Sequence, residues 1–148
     1  MKIIIDGDAC PSIPIIENIA KDYNLEVIIY CDINHFINCE YAIVKVVDSG
    51  FQSVDMYVAN RTNKDDIVVT QDYGVAALCL AKGAKTINPN GRIYSNDNID
   101  ELLEQRHNNF KIRRAGGRTP NNKKRTKEDE NRLVKNLIKL INMKEVSH

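Results

Sequence analysis

The stretch Ile3-Ile4-Ile5-Asp6-Gly7-Asp8-Ala9-Cys10-Pro11 sets the fold of this chain. Its three β-branched residues predict a short buried strand, which runs directly into two aspartates separated by one residue. A second passage, Ile67-Val68-Val69-Thr70-Gln71-Asp72-Tyr73-Gly74, has the same form. In an open parallel sheet, the loops that follow the strands line one crevice, where ligands bind. The two passages therefore predict carboxylates gathered at one edge of a parallel sheet.

Strands and helices alternate along the rest of the chain. Residues rich in Val and Ile predict strands at 2–5, 25–31, 42–47, 66–70 and 85–88. Apolar residues at helical spacing and capping residues predict helices at 13–23, 54–60, 75–81, 96–114 and 126–143. Five strands, with helices between most of them, predict an α/β fold with a mostly parallel central sheet flanked by helices.

Charge divides the 148-residue chain into two unequal parts. Residues 1–105 hold 8 basic and 16 acidic side chains, whereas residues 106–148 hold 13 and 4. We expect an α/β domain over 1–114, followed at 115–148 by a basic loop and a C-terminal helix that packs on or extends from it. An acidic site beside a basic arm suits a protein that binds a polyanion, although a solvated, self-compensating surface is an equal alternative.

Composition excludes several other classes of protein. No apolar run approaches the roughly 20 residues of a membrane span, and the N-terminus lacks the pattern of a secretory signal. The four cysteines, Cys10, Cys31, Cys39 and Cys79, lack zinc-ribbon spacing. We therefore expect reduced thiols, with Cys31 and Cys79 in the core, in a cytoplasmic protein that does not contact a membrane.

Acidic residues near the predicted strand ends are candidate metal ligands. Asp6, Asp8 and Asp72 follow strands directly, and Asp55 lies in the first turn of a predicted helix. The alternative for the first three is a helix N-cap, and for Asp55 a favourable position in the helix dipole. Oxygen ligands alone favour Mg²⁺ or Mn²⁺. Thr70 is placed to hydrogen-bond a phosphate or a ligand carboxylate.

The motifs together resemble the YaiI/YqxD family (UPF0178) over nearly the whole chain. Residues 5–11 resemble its opening signature, and 66–72 with Gly74 and Ala76-Ala77 resemble its central motif. The match continues through Asn88-Pro89-Asn90-Gly91, Asn98-Ile99, Arg106 and Gly116-Gly117. The family consists of uncharacterised bacterial proteins related at the fold level to PIN-like nuclease domains. The resemblance implies a PIN-like three-layer fold over 1–114 and suspected nuclease chemistry.

The PIN-like comparison also implies roles for individual acids. Asp6 resembles the acid that ends the first strand, Asp55 the helix acid, and Asp72 the acid of the Thr-x-Asp signature. Many PIN domains carry a further helix acid that has no equivalent here, and Asp8 is its candidate substitute. Where relatives often have Gly-Gly-Pro, this chain has the more basic Gly116-Gly117-Arg118-Thr119-Pro120.

Three functions stay open from the sequence. The first is a Mg²⁺- or Mn²⁺-dependent nuclease acting on RNA or single-stranded nucleic acid, in which Asp6, Asp8, Asp55 and Asp72 hold the metal. Its predicted substrate-binding residues are Thr70, Asn34, Arg106, Arg113, Arg114 and Arg118. The second is a haloacid-dehalogenase-like phosphatase with Asp6 as nucleophile and Asp8 as general acid, although Cys10 stands where that type usually has Thr or Val. The third is a non-catalytic metal- or RNA-binding module.

Overall fold

A computed structural model of the protein describes residues 1–7, 12–32, 39–47, 54–116 and 125–143. Its elements are β1 (Lys2–Asp6), α1 (Ile13–Asp22), β2 (Glu26–Asp32), β3 (Ile43–Val47), α2 (Val54–Arg61), β4 (Ile67–Val69), α3 (Tyr73–Ala81), β5 (Lys85–Ile87), β6 (Ile93–Tyr94), α4 (Asn96–Arg114) and α5 (Lys127–Asn142). None of the helices within these ranges is both long and apolar enough to cross a bilayer.

The six strands form one sheet in the order β3-β2-β1-β4-β5-β6, in which only β6 is antiparallel to its neighbour. The chain adds β2 and β3 on one side of β1, and then β4 and β5 on the other. The strand order therefore reverses between β1 and β4. Such a topological switch point leaves a crevice beyond the carboxyl ends of the two strands.

Helices cover both faces of the sheet. Ile3 and Ile5 of β1 pack with α1 and α5 on one face, whereas Ile4 packs with α2 and α3 on the other. This alternation follows from the two-residue period of a strand. The helices change face because the direction of strand addition reverses while each crossover keeps the same hand. The predicted α/β fold with a mostly parallel, helix-flanked sheet is confirmed.

The prediction of five strands was wrong, because β6 was missed. A turn at 88–91 follows β5, and Thr86 of β5 pairs with Tyr94 of β6 beyond it. A two-residue strand is too short for the alternating pattern from which strands are predicted. The buried positions of Cys31 and Cys79 are confirmed, and with Cys39 they remain thiols.

Helix α5 spans the sheet from its carboxyl edge to its amino edge. Just past its middle, Asn136 Nδ2 donates to the Gly91 carbonyl at 2.6 Å, just beyond the carboxyl end of β5. Near its end, the Leu140 carbonyl accepts a 3.1 Å hydrogen bond from Nζ of Lys85, the first residue of β5. Leu133 and Leu137, on the side of α5 that faces the sheet, are fully buried. Arg125 and Thr126, the two described residues directly before α5, therefore lie on the carboxyl side of the sheet.

Helix α4 is buried only over its first half. Ile99 and Leu102 pack against Ala76 of α3 and against Tyr94. Beyond Leu103 nearly every described side chain is exposed, and Phe110 is 60% exposed. The second half of α4 is thus available to solvent.

Replacing Gly91 with alanine is expected to destabilise the protein by about 3 kcal/mol. Gly91 has a φ of +92°, and an added Cβ would lie 2.4 Å from the Leu133 nitrogen and 2.5 Å from the Arg132 carbonyl carbon. Because both clashes are with helix backbone, α5 must shift away from the turn. Urea unfolding of G91A measures the loss.

The matched control for this substitution is Gly116→Ala. Gly116 has a similar φ of +84°, but an added Cβ meets nothing within 4 Å. This control isolates the cost of the backbone conformation, which is about 1 kcal/mol. Equal losses in the two variants would contradict a close approach of α5 to Gly91.

Candidate functional site

Asp6 lies at the switch point of the sheet. It is the last residue of β1, whose two neighbours β2 and β4 both run parallel to it. Because side chains two residues apart in a strand share a face, Asp6 lies with Ile4 on the face covered by α2 and α3. Asp6 is only 9% exposed. A carboxylate so buried costs free energy unless hydrogen bonds or a cation compensate its charge.

The Thr70 hydroxyl joins the ends of β1 and β4. It donates to Asp6 Oδ2 at 3.3 Å and accepts from the Asp72 backbone N–H at 3.0 Å. Thr70 is 1% exposed, and its own N–H donates to the Ile87 carbonyl at 3.1 Å. Of the two partners predicted for this hydroxyl, the structure shows a carboxylate, that of the candidate ligand Asp6.

Asp72 caps helix α3. Its Oδ1 accepts hydrogen bonds from the backbone N–H groups of Gly74 at 2.8 Å and Val75 at 3.2 Å. The sequence left a cap and a ligand as alternatives for this residue, and the structure shows the cap. The cap also fixes the position of the Asp72 carboxylate, and the backbone N–H of the same residue donates to the Thr70 hydroxyl.

Two further acids lie near this edge. Asp55 is half-buried in the first turn of α2, the helix that packs over β1 and β2 on the Asp6 face. Asp32 ends β2, two residues beyond the level at which Tyr30 pairs with Asp6. Asp32 was not among the predicted site residues, because the strand was expected to end at residue 31. The apolar run 27–31 followed by an acid is the same signal that identified Asp6.

The structure tests the metal site only within the described ranges. There, no three or more His, Cys, Asp or Glu side chains lie close enough to hold a metal ion, so Asp6, Asp55 and Asp72 do not form such a group. The remaining candidate ligand, Asp8, lies outside the described residues. Among the predicted substrate residues, Asn34, Arg118 and the side chain of Arg106 also lie outside them.

Tyr94, which was not among the predicted site residues, is hydrogen-bonded to the backbone of Thr70. Its hydroxyl donates to the Thr70 carbonyl at 3.2 Å and accepts from Asn88 Nδ2 at 3.0 Å. Its ring packs edge-on against Tyr73 with the centroids 5.9 Å apart. Burial raises the pKa of Tyr94 to about 12, while the hydrogen bond from Asn88 opposes the shift. Tyr94 therefore stays a neutral hydrogen-bond donor that holds Thr70 in place.

A basic segment of the sequence follows the acidic part of the chain. Residues 105–127 carry nine lysines and arginines and no acidic residue. Arg113 and Arg114 of this stretch are exposed in the last turn of α4. The first turns of the same helix carry Asp97, Asp100, Glu101 and Glu104. Helix α4 is thus acidic where it packs on the domain and basic where it is exposed.

Comparison with known proteins identifies the family of this chain but indicates no activity. The profile of the "Uncharacterized BCR, YaiI/YqxD family" matches residues 4–143. A "UPF0178 protein" of Clostridium perfringens is 60% identical over 141 residues, which cover 95% of each chain. Proteins of the same description from Clostridium kluyveri (59% identity; 95% of this chain and 93% of the relative) and Ruminiclostridium cellulolyticum (50%; 95% and 92%) are also similar. No solved structure matches the chain.

Replacing Thr70 with valine is expected to lower the free energy of unfolding by about 1–3 kcal/mol. Valine keeps the branched shape but leaves Asp6 without this donor and the Asp72 N–H without its acceptor. Thr70→Ser keeps the hydroxyl and loses one methyl group, at a cost of about 0.8 kcal/mol. Urea unfolding of both variants makes the comparison. Equal losses would show that the hydroxyl is not what connects the strand ends.

The stability of the protein is expected to fall between pH 10 and about pH 12 because of Tyr94. Below pH 10 the hydroxyl is protonated in both states, whereas between these values the unfolded chain alone has released the proton. The unfolded state is then favoured as the pH rises. Absorbance at 295 nm should show one tyrosine ionising near pH 12 in the wild type and not in Y94F. A midpoint near 10 for that tyrosine would contradict its burial.

Proposed function

The chain belongs to the YaiI/YqxD family of uncharacterised bacterial proteins, and we propose that it is a divalent-metal-dependent phosphodiesterase acting on RNA or single-stranded nucleic acid. The observation that carries the proposal is the position of Asp6. A buried carboxylate stands at the switch point of a parallel sheet and is bonded to a hydroxyl from the neighbouring strand end. In such sheets this is where ligands bind.

The donor atoms at this point suit Mg²⁺ or Mn²⁺. Such ions bind through one or two carboxylates, keep several waters and take further ligands from substrate phosphates. A group of three protein acids is therefore not required. Asp6, together with Asp8 two residues later in the chain, supplies the two carboxylates. When bound, a divalent ion provides an activated water and compensates the charge that develops on a phosphoryl group.

The surrounding residues keep this carboxylate ready to bind. Because the Thr70 hydroxyl donates to Oδ2, it restricts the rotation of the Asp6 carboxylate, which would otherwise have to be ordered when a cation binds. Tyr94 in turn holds the Thr70 carbonyl, so the hydroxyl is anchored from the sheet side. Asp55 and Asp72 add negative charge on the same face, which attracts a cation and orients its waters.

Nucleic acid is the substrate class that the charge distribution favours. The nine basic residues of 105–127 make a polyanion a suitable partner, and no acidic residue interrupts them. Arg113 and Arg114 lie on the exposed half of α4, where a long ligand has access. With Arg106, Arg118 and Asn34 they are proposed to hold phosphates and bases along the strand.

Metal binding and cleavage should both depend on Asp6. Calorimetry with Mn²⁺ is expected to show uptake by the wild type and none by Asp6→Asn, because the amide loses the charge that binds the ion. Cleavage of an end-labelled single-stranded RNA should fall by at least about a hundredfold in the same variant. Asp22→Asn is the control, since it removes one exposed carboxylate at the far end of α1.

The possible results separate the three candidate functions. A folded wild type that takes up no metal would refute the proposal. Metal uptake with RNA binding but no cleavage would favour a non-catalytic module. A phosphoaspartate trapped on Asp6 with a small phosphomonoester would favour the phosphatase.

A further inference from the structure

Phe110 is more exposed than any other large apolar side chain in the described ranges, with 60% of its surface accessible to solvent. It lies in the second half of α4, beyond the residues that pack against Ala76 and Tyr94. An aromatic ring gains free energy when its large apolar surface leaves water, and here the protein itself supplies almost no cover. The ring is therefore open to a ligand.

Cations surround this ring on the surface of α4. Residues three and four positions apart lie side by side on a helix, and Arg113 and Arg114 stand in those positions relative to Phe110. Both arginines are exposed, as are Lys111 and His107. No acidic residue occurs between 105 and 127. An exposed ring among cations is the combination with which proteins bind single-stranded nucleic acids, since the bases stack on the ring and the phosphates pair with the cations.

The apolar residues in this half of α4 do not form a stripe that would suit a protein partner. Ile112 is 44% exposed, but two residues correspond to about 200° around a helix, so Ile112 and Phe110 face opposite sides. A helix that docks into a protein groove carries apolar residues at positions i, i+3, i+4 and i+7. After Phe110, positions i+3 and i+4 are arginines. This arrangement favours a nucleic acid over a protein as the partner.

We propose that Phe110 stacks on an unpaired base of the bound nucleic acid, and that this contact makes the protein select single strands over duplexes. The proposal rests on the proposed function for the class of ligand. In a duplex each base is stacked on its neighbours, and exposing its face to a protein ring costs unpairing and unstacking energy. Every base has a π-face, so the ring selects the unpaired state and not a particular sequence.

The first measurement detects stacking directly, by fluorescence in EDTA, which prevents metal-dependent cleavage. The chain contains no tryptophan, so Phe110→Trp places a single reporter at the proposed contact. Stacking on a base quenches indole fluorescence. We expect an unlabelled single-stranded RNA of about ten nucleotides to quench F110W, and the same sequence as a duplex not to quench it.

The matched control is Tyr23→Trp. Tyr23 is a partly exposed ring at the end of α1, on the face of the sheet opposite to α3 and α4. It lies outside the basic segment, so RNA bound to that segment should leave the fluorescence of Y23W unchanged.

The second measurement compares the affinities of Phe110→Leu and Tyr23→Leu for the same RNA, by fluorescence anisotropy of a labelled strand in EDTA. F110L should bind the single strand at least about fivefold more weakly, whereas Y23L should change by less than about twofold. Duplex affinity should also change by less than about twofold in F110L, because no stacking is lost there. Neither substitution removes a cation, so the salt dependence of binding should stay the same. Because Phe110 is exposed, F110L should melt at the wild-type temperature.

Four results would overturn the inference. They are a wild type that does not bind single-stranded RNA, an F110L that binds it with wild-type affinity, equal quenching of F110W by the duplex, and an F110W emission that shifts to the blue with protein concentration alone. The last would show that a second copy of the chain covers the ring. Metal uptake and cleavage are measured separately on Asp6. If they fail while F110W is still quenched, the proposed nuclease function is refuted and the single-strand contact stands.

Discussion

The hydrogen bond between the Thr70 hydroxyl and Asp6 is the contact on which the candidate site depends. It connects the ends of β1 and β4, the neighbouring strands between which the strand order reverses, and it joins residues 64 positions apart. The same hydroxyl accepts from the Asp72 N–H, so the ends of β1, β4 and the start of α3 share one atom. A buried acid held in this way keeps one orientation, which is what the metal binding proposed for it requires.

The two faces of the sheet contribute different parts to this arrangement. Helices α2 and α3 cover the face of Asp6 and bring Asp55 and Asp72 towards it. Helix α5 covers the other face, and its register is set by its backbone contact with Gly91 and by the hydrogen bond from Lys85 to the Leu140 carbonyl. That register places Arg125 and Thr126, which come directly before α5, on the carboxyl side of the sheet.

Local patterns predicted most of the elements and part of the site. The apolar runs of β1 and β4 were recognised with the acids that follow them, and the helix predicted at 126–143 is α5. Three features were missed. β6 is too short to show a period. Asp32 is the last residue of β2, whose end was predicted one residue early. Tyr94 is indistinguishable from any half-buried aromatic residue until its partners Asn88 and Thr70 are known.

The sequence by itself determined the strands, the caps and the separation of acidic from basic residues, because these depend on neighbours within a few positions. Only the tertiary structure decided which strand ends meet, and therefore that Thr70 bonds to Asp6. Only the tertiary structure could show that Nε and Nη2 of Arg125 are buried without a hydrogen bond, since in the sequence Arg125 is one of nine similar cations. The physical reason is that burial and pairing depend on distant residues brought together by the sheet and by the docking of α5, and no local pattern encodes them.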